Sequence, residues 1–340
     1  MQRSGGAHHG RTVDSGSAVY GLPAVFRKSA EHTELPDPNL RIEGGILKDW
    51  NETPPSVTLV IPAGVTEIAD DVFKNCTGLT QVNFPASLTK IGKFAFYGCT
   101  GLTGLTLPAS LEKLDTYAFS GCTEITGTVA IPANLRYISW NAFSNCNKID
   151  AFDFTHCTQL TFIGSEAFEN CTKITAMNLP ANLETLDASA FSGCTNLTTL
   201  TVDAANTHLS SQDNIIYNFN KTKLLCRAPN VTQVTFPATL TEIADDAFYH
   251  CTSLGGTVIL PASLKTIGNT AFYNCNKVDA FDFSQCTQLT SINNNAFGSC
   301  TKITAMNLPA SLETISGGAF SGCTALATLT VDAASTHLSS

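Results

Sequence analysis

An Ala-Phe or Val-Phe pair with a cysteine three positions after the phenylalanine recurs ten times, and its spacing constrains the fold more than any other feature. The cysteines are Cys76, Cys99, Cys122, Cys146, Cys171, Cys194, Cys251, Cys275, Cys300 and Cys323, at intervals of 23, 23, 24, 25 and 23 residues, then 57, then 24, 25 and 23. Self-similarity at a fixed period of this length is the signature of a one-dimensional array. One such unit cannot bury its apolar side alone, so each is expected to stack on its neighbours and share a core.

Within residues 100–122, TGLTGLTLPASLEKLDTYAFSGC, Leu102, Leu105 and Leu107 have the L-x-x-L-x-L spacing of a short strand. Pro108 ends it, because proline lacks the N–H and fixes φ. Leu111 and Leu114 return inward, and Asp115–Phe119 reads as one helical or 3-10 turn, with Phe119 inside and Cys122 closing the coil. The period lies in the range of leucine-rich repeats, so parallel strands are expected on a concave face and short helical or 3-10 turns on the convex face, an α/β solenoid.

A second periodicity lies above the first. NKIDAFDFTHCTQLT (147–161) returns as NKVDAFDFSQCTQLT (276–290), and roughly three quarters of positions 147–211 match 276–340 at an offset of 129 residues. The 57-residue interval contains SQDNIIYNFNKTKLLCRAPN, where Ile215, Ile216, Tyr217 and Leu224, Leu225 flank a polar turn; this reads as a β-hairpin projecting from the array. The chain therefore divides into a flexible lead, 1–40, and a solenoid, 41–340. The solenoid comprises a cap with the first coil (41–76), repeats (77–211), the hairpin insertion (212–229) and further repeats (230–340). Ile46, Leu47 and Trp50 are expected to cover the first coil. The last strand has no capping sequence after it, so the chain reads as C-terminally truncated, with an edge that frays or packs on another copy.

IPAGVTEIADDVFKNCTGLTQVNFPASLTKIGKFAFYGC, with its LP-x-x-L-x-x-I-x-x-x-AF-x-x-C pattern, resembles the BspA-like leucine-rich repeats of bacterial surface proteins. GILKDW and S-x-D-N-I-I-Y add to the resemblance, which covers about residues 41–340; Asn214 stands where the family's usual form has glycine. The resemblance implies a right-handed solenoid, export, and adhesion to a host or bacterial macromolecule. It implies no catalytic residue.

Chemistry is sparse. Net charge is −9 and the lysines and arginines are scattered, which disfavours a nucleic-acid partner. No apolar run is long enough to cross a bilayer. The column cysteines read as buried thiols, and Cys157, Cys226 and Cys286, off the column, as the only plausible reactive ones. Asp70-Asp71 and Asp245-Asp246 read as caps of the convex turns. No metal or cofactor site is expected. The candidate binding residues are Asp150, Asp153, Asp279 and Asp282, the only repeated charges on the outward strand face, with Tyr217 and Phe219 near the hairpin tip. A non-enzymatic module binding a surface protein or glycan is the leading reading; a structural spacer or stalk without a ligand is the alternative.

Overall fold

The computed structural model describes residues 39–50 and 57–332. Most of the expected lead, and residues 333–340 of the expected truncated end, lie outside the described residues.

The longest ladder forms where the chain returns inward after the proline. Glu67–Ile68, Lys90–Ile91, Lys113–Leu114, Tyr137–Ile138, Phe162–Ile163 and Thr185–Leu186 are two-residue strands, each pairing in parallel with the next coil. In each the second side chain is buried and the first faces outward. Glu242–Ile243, Thr266–Ile267, Ser291–Ile292 and Thr314–Ile315 repeat the pairing, with Ile315 half-buried and the other three isoleucines buried. The L-x-x-L-x-L segments, expected to make the sheet, pair only in twos, such as Gly127–Ala130 with Ile149–Asp153 and Ala176–Leu179 with Thr199–Val202. Residues 102–107 form no strand. Ladder pairing requires matched register, and a one-residue shift at Ile149/Ala151 interrupts it, as does another at Gly256/Thr257.

The expected helical turns are corrected: no helix occurs among the described residues. All but one of the turns instead carry residues with positive φ four positions apart, such as Asp71 and Asn75, Phe94 and Gly98, Tyr117 and Gly121, and Asn141 and Asn145; the turn at 189–193 has it only at Gly193. This conformation turns alternate N–H groups out of the coil. The N–H groups of Asp71, Phe73 and Asn75 donate to the carbonyls of Lys93, Ala95 and Tyr97 in the next coil, while those of Lys74 and Cys76 donate back three residues. A helix would keep every N–H within the coil. Left-handed backbone costs a non-glycine residue about 1 kcal/mol, and turns such as Asp71–Asn75, Phe94–Gly98 and Asn141–Asn145 offset it with three bonds to the next coil. Asp70 and Asp245 accordingly cap no helix; each accepts a backbone N–H from the following coil, of Lys93 and Asn269.

Inside, the phenylalanines form columns of nearly parallel rings. Phe73, Phe96 and Phe119 stack at 4.9 and 5.0 Å, and Phe119, Phe143, Phe168 and Phe191 at 5.8–6.0 Å. The wider spacing accompanies Phe152, inserted between Phe143 and Phe168 at 5.0 and 4.6 Å from them. All thirteen cysteines are free. The column thiols do more than fill space: Cys99, Cys122, Cys146, Cys171 and Cys194 each donate S–H to the phenylalanine carbonyl of the preceding coil, at 3.0–3.2 Å. The Phe73 carbonyl already accepts the Cys76 N–H, so the Cys99 thiol occupies its second lone pair. Trp50 is buried edge-on against Phe73, 5.2 Å away, as expected of the cap.

The expected hairpin forms, Ile215–Asn218 pairing antiparallel with Lys223–Arg227, but it does not project: with Leu209–Gln212 it makes a three-stranded antiparallel meander. Its last strand pairs in parallel with Glu242–Ile243 and so begins the second ladder. Ile215, Ile216, Tyr217, Leu224 and Cys226 are buried, so both faces of the central strand are covered. Asn206 fastens the meander to the preceding coil. Its amide donates to the Pro180 and Leu183 carbonyls, and its oxygen accepts the His208 and Leu209 N–H groups.

Candidate functional site

The four aspartates are not brought together; each half keeps its own pair on one strand, Ile149–Asp153 or Val278–Asp282. Asp150 accepts the Gly127 N–H at 3.0 Å and pairs with Lys173 at 2.6 Å. The Lys173 ammonium holds its carboxyl below the usual range. Asp279 pairs likewise with Lys302. Asp153 accepts the hydroxyl and N–H of Thr155, and Asp282 the N–H of Ser284, which in each case lowers the carboxyl's pKa. These acids join neighbouring coils or close local turns. Each is therefore a stitch in the scaffold, with Asp150 and Asp279 already supplied with a cation.

The threonines of the strand face are similarly engaged. The Thr103 hydroxyl donates to the Thr80 carbonyl and the Thr126 hydroxyl to that of Thr103, both at 3.2 Å. Tyr217, placed at a tip by sequence, is 0% exposed, with no hydrogen-bond partner for its hydroxyl, and is unavailable to a ligand. Phe219 is 52% exposed at the turn of the meander. Cys157, Cys226 and Cys286, the thiols off the column, are also buried, and burial pushes them up to about 11, 12 and 12. No group of three metal-ligating side chains occurs among the described residues.

Sequence reasoning passed over the exposed aromatics. Tyr137 is 44% exposed and Trp140 57% exposed. Phe162 is half-buried beside them on the adjacent strand. They were missed because they stand outside the L-x-x-L-x-L segment, at positions assigned to the inward return and the turn. The 129-residue repeat carried the missing signal, since the second half has Thr266, Asn269 and Ser291 there.

The family model of the BspA type leucine rich repeat region matches in six copies, over residues 51–161, 153–225 and 221–340. No curated protein matches the chain. Among solved structures it is similar to a leucine rich cell surface protein from Faecalibacterium prausnitzii (24% identity, 89% of this chain and 99% of that one, TM-score 0.61). It is also similar to the pneumococcal vaccine antigen PcpA (22% identity, 87% and 81%, TM-score 0.67). A leucine-rich repeat protein from Bacteroides ovatus is 25% identical over 80% of this chain and 72% of its own, with TM-score 0.57.

Proposed function

The chain belongs to the BspA-type leucine-rich-repeat family, and from that premise we propose that it is a non-enzymatic interaction module, secreted or displayed on a cell surface. The solenoid holds outward-facing side chains against a protein or glycan on a host or bacterial surface. One observation carries this reading. The repeated positions are consumed by ladders between coils, leaving only outward side chains to vary from coil to coil. A similar solved structure is described as a cell surface protein, which supports the location. No helix among the described residues is long and apolar enough to cross a membrane.

The test is binding of the labelled chain to bacterial and mammalian cells by flow cytometry, with unlabelled chain as competitor. Saturable, competed binding is expected, and pretreating the cells with protease or glycosidase identifies the partner's class. Absence of saturable binding to every surface tried refutes the module and leaves the spacer reading.

A further inference from the structure

The two halves of the solenoid keep the same core and differ among their outer side chains; Ser120, Gly121 and Ser144 become Tyr249, His250 and Tyr273, and one outer ridge loses aromatic and acidic residues together. Between 162 and 169, Ile163, Ala167 and Phe168 return as Ile292, Ala296 and Phe297, and all three are buried. The outward residues do not return. Tyr137, Trp140 and Phe162 become Thr266, Asn269 and Ser291, while Glu166, Glu169 and Asp187 become Asn295, Gly298 and Ser316. Three aromatic rings and three carboxylates are thus lost together from a backbone that keeps its ladder at Thr266–Ile267 and Ser291–Ile292. These side chains are not needed to fold the coil. Asn269 in fact does scaffold work that Trp140 does not: its amide donates to Asp245 at 2.9 Å and its oxygen accepts from Asn294 at 3.2 Å.

The ridge has a definite build. A Cβ on Gly164 would lie 2.4 Å from Trp140 Cδ1 and 3.1 Å from Phe162 Cε1, so both rings lie against this glycine; the second half has Asn293 in its place. Glu166 and Glu169 follow in the same turn, half-buried. Their hydrogen bonds come from neutral groups, the Asn141 amide at 2.9 Å and the Ser144 hydroxyl at 2.8 Å. Asp187, in the next coil, accepts the N–H and hydroxyl of Ser189 at 3.0 and 2.8 Å through one carboxylate oxygen, and among the described residues none of the three belongs to an ion pair. A carboxylate only accepts hydrogen bonds, and an aromatic face attracts cations. The protein contains one such arrangement already: the Lys74 ammonium sits 4.7 Å from the Phe94 ring centroid and 2.7 Å from Asp71.

We infer that the ridge from Tyr137 to Asp187 is the docking surface for a lysine- and arginine-rich polypeptide segment. Its cations seat on Trp140, Tyr137 and Phe162 and pair with Glu166, Glu169 and Asp187. This names the surface and the partner's chemistry for the interaction module proposed above, and so rests on that reading. Arg136, exposed beside Tyr137, is matched by Lys265 in the second half and lies outside the difference.

The experiment is fluorescence anisotropy with a labelled twelve-residue peptide of alternating lysine, arginine and glycine, on the whole chain. Saturable binding is expected, weakened about tenfold or more both by Y137T/W140N/F162S and by E166N/E169G/D187S. D213N/E313Q, which removes two charges elsewhere, should leave it unchanged, and R136Q should tighten it. Melting curves of the ridge variants should follow the parent, since the second half already folds with those residues. Equal weakening by D213N/E313Q, or undiminished binding by the aromatic variant, reduces the effect to net charge and overturns the inference. Binding of a neutral oligoglucan with none of the peptide overturns it in favour of a glycan. Loss of peptide binding with saturable cell binding retained refutes the ridge alone; the reverse refutes the module.

Discussion

Truncating Phe119 to alanine removes a ring that is fully buried and covered on both faces, by Phe96 at 5.0 Å and Phe143 at 5.8 Å. Truncating a buried phenylalanine costs about 3–5 kcal/mol in all, cavity and ring contacts included; with two stacks, each worth about 0.5–1.5 kcal/mol beyond area, the upper end, about 5 kcal/mol, is expected. Phe119→Leu keeps most of the volume but loses the ring–ring contacts, and should cost about 1–2 kcal/mol. Thr106→Ala, at an exposed position, should cost less than about 0.5 kcal/mol. Urea unfolding followed by far-UV circular dichroism and tryptophan fluorescence measures all three. A coil array is held by nearest-neighbour contacts, so Phe119→Ala should also separate melting of the first half from that of the second. Equal costs for Phe119→Ala and Thr106→Ala would refute the assignment of inside and outside, and a Phe119→Leu cost as large as that of alanine would make stacking the dominant contribution.

The thiols give a second check: in native protein a thiol reagent should reach no cysteine but the half-buried Cys323, and denaturation without reductant should release all thirteen. Burial raises Cys76 to about 11 and Cys194 to about 12, above the ordinary thiol value of about 8.5. Their contribution is therefore complete below about pH 8.5 and is lost as pH rises toward 11–12, so urea midpoints should fall across that window. Asn206→Ala removes four hydrogen bonds at a buried site and should cost about 3 kcal/mol or more, with the meander opening first by hydrogen exchange. Tyr217→Phe removes a buried hydroxyl that has no partner, and should leave stability unchanged or raise it by about 1 kcal/mol in the same urea assay.

The columns were legible because a buried position repeats its residue type: Phe and Cys recur wherever rings stack, and Trp50 closes that stack as its apolar size suggested. The turns were only half legible: the second positive-φ position is mostly Asn or Gly, as at Asn75, Gly98, Gly121, Asn145, Asn170 and Asn274, which favours left-handed backbone, but the first has side chains with nothing in common. Asp71, Phe94, Tyr117, Asn141 and Glu166 all adopt positive φ, and no propensity marks such a set. Ala-Phe preceded by acids looks like a helix start, yet bonding between coils overrides it. The meander held a usable sign, since Ile215, Ile216 and Tyr217 are consecutive and apolar without alternation, which means a strand covered on both faces. The strand aspartates repeat as the sequence shows, and Lys173 and Lys302 repeat with Asp150 and Asp279 as ion-pair partners, a pairing across coils that the strand spacing alone did not reveal. The aromatic ridge became visible only where the two halves differ.

The central claim is that stacked columns supply the stability while outward side chains supply recognition. Transplanting the ridge into the second half tests it most directly, through T266Y, N269W, Y273S, S291F, N293G, N295E, G298E and S316D together; Y273S restores the serine found at 144, because a Cβ at 298 would lie 2.7 Å from the Tyr273 ring. Titration of this variant with the basic peptide, beside its thermal melt, is the measurement. The account predicts one further binding site relative to the parent and a melting midpoint within a few degrees of it. Unchanged stoichiometry in a folded variant, or loss of the folded state, would contradict it.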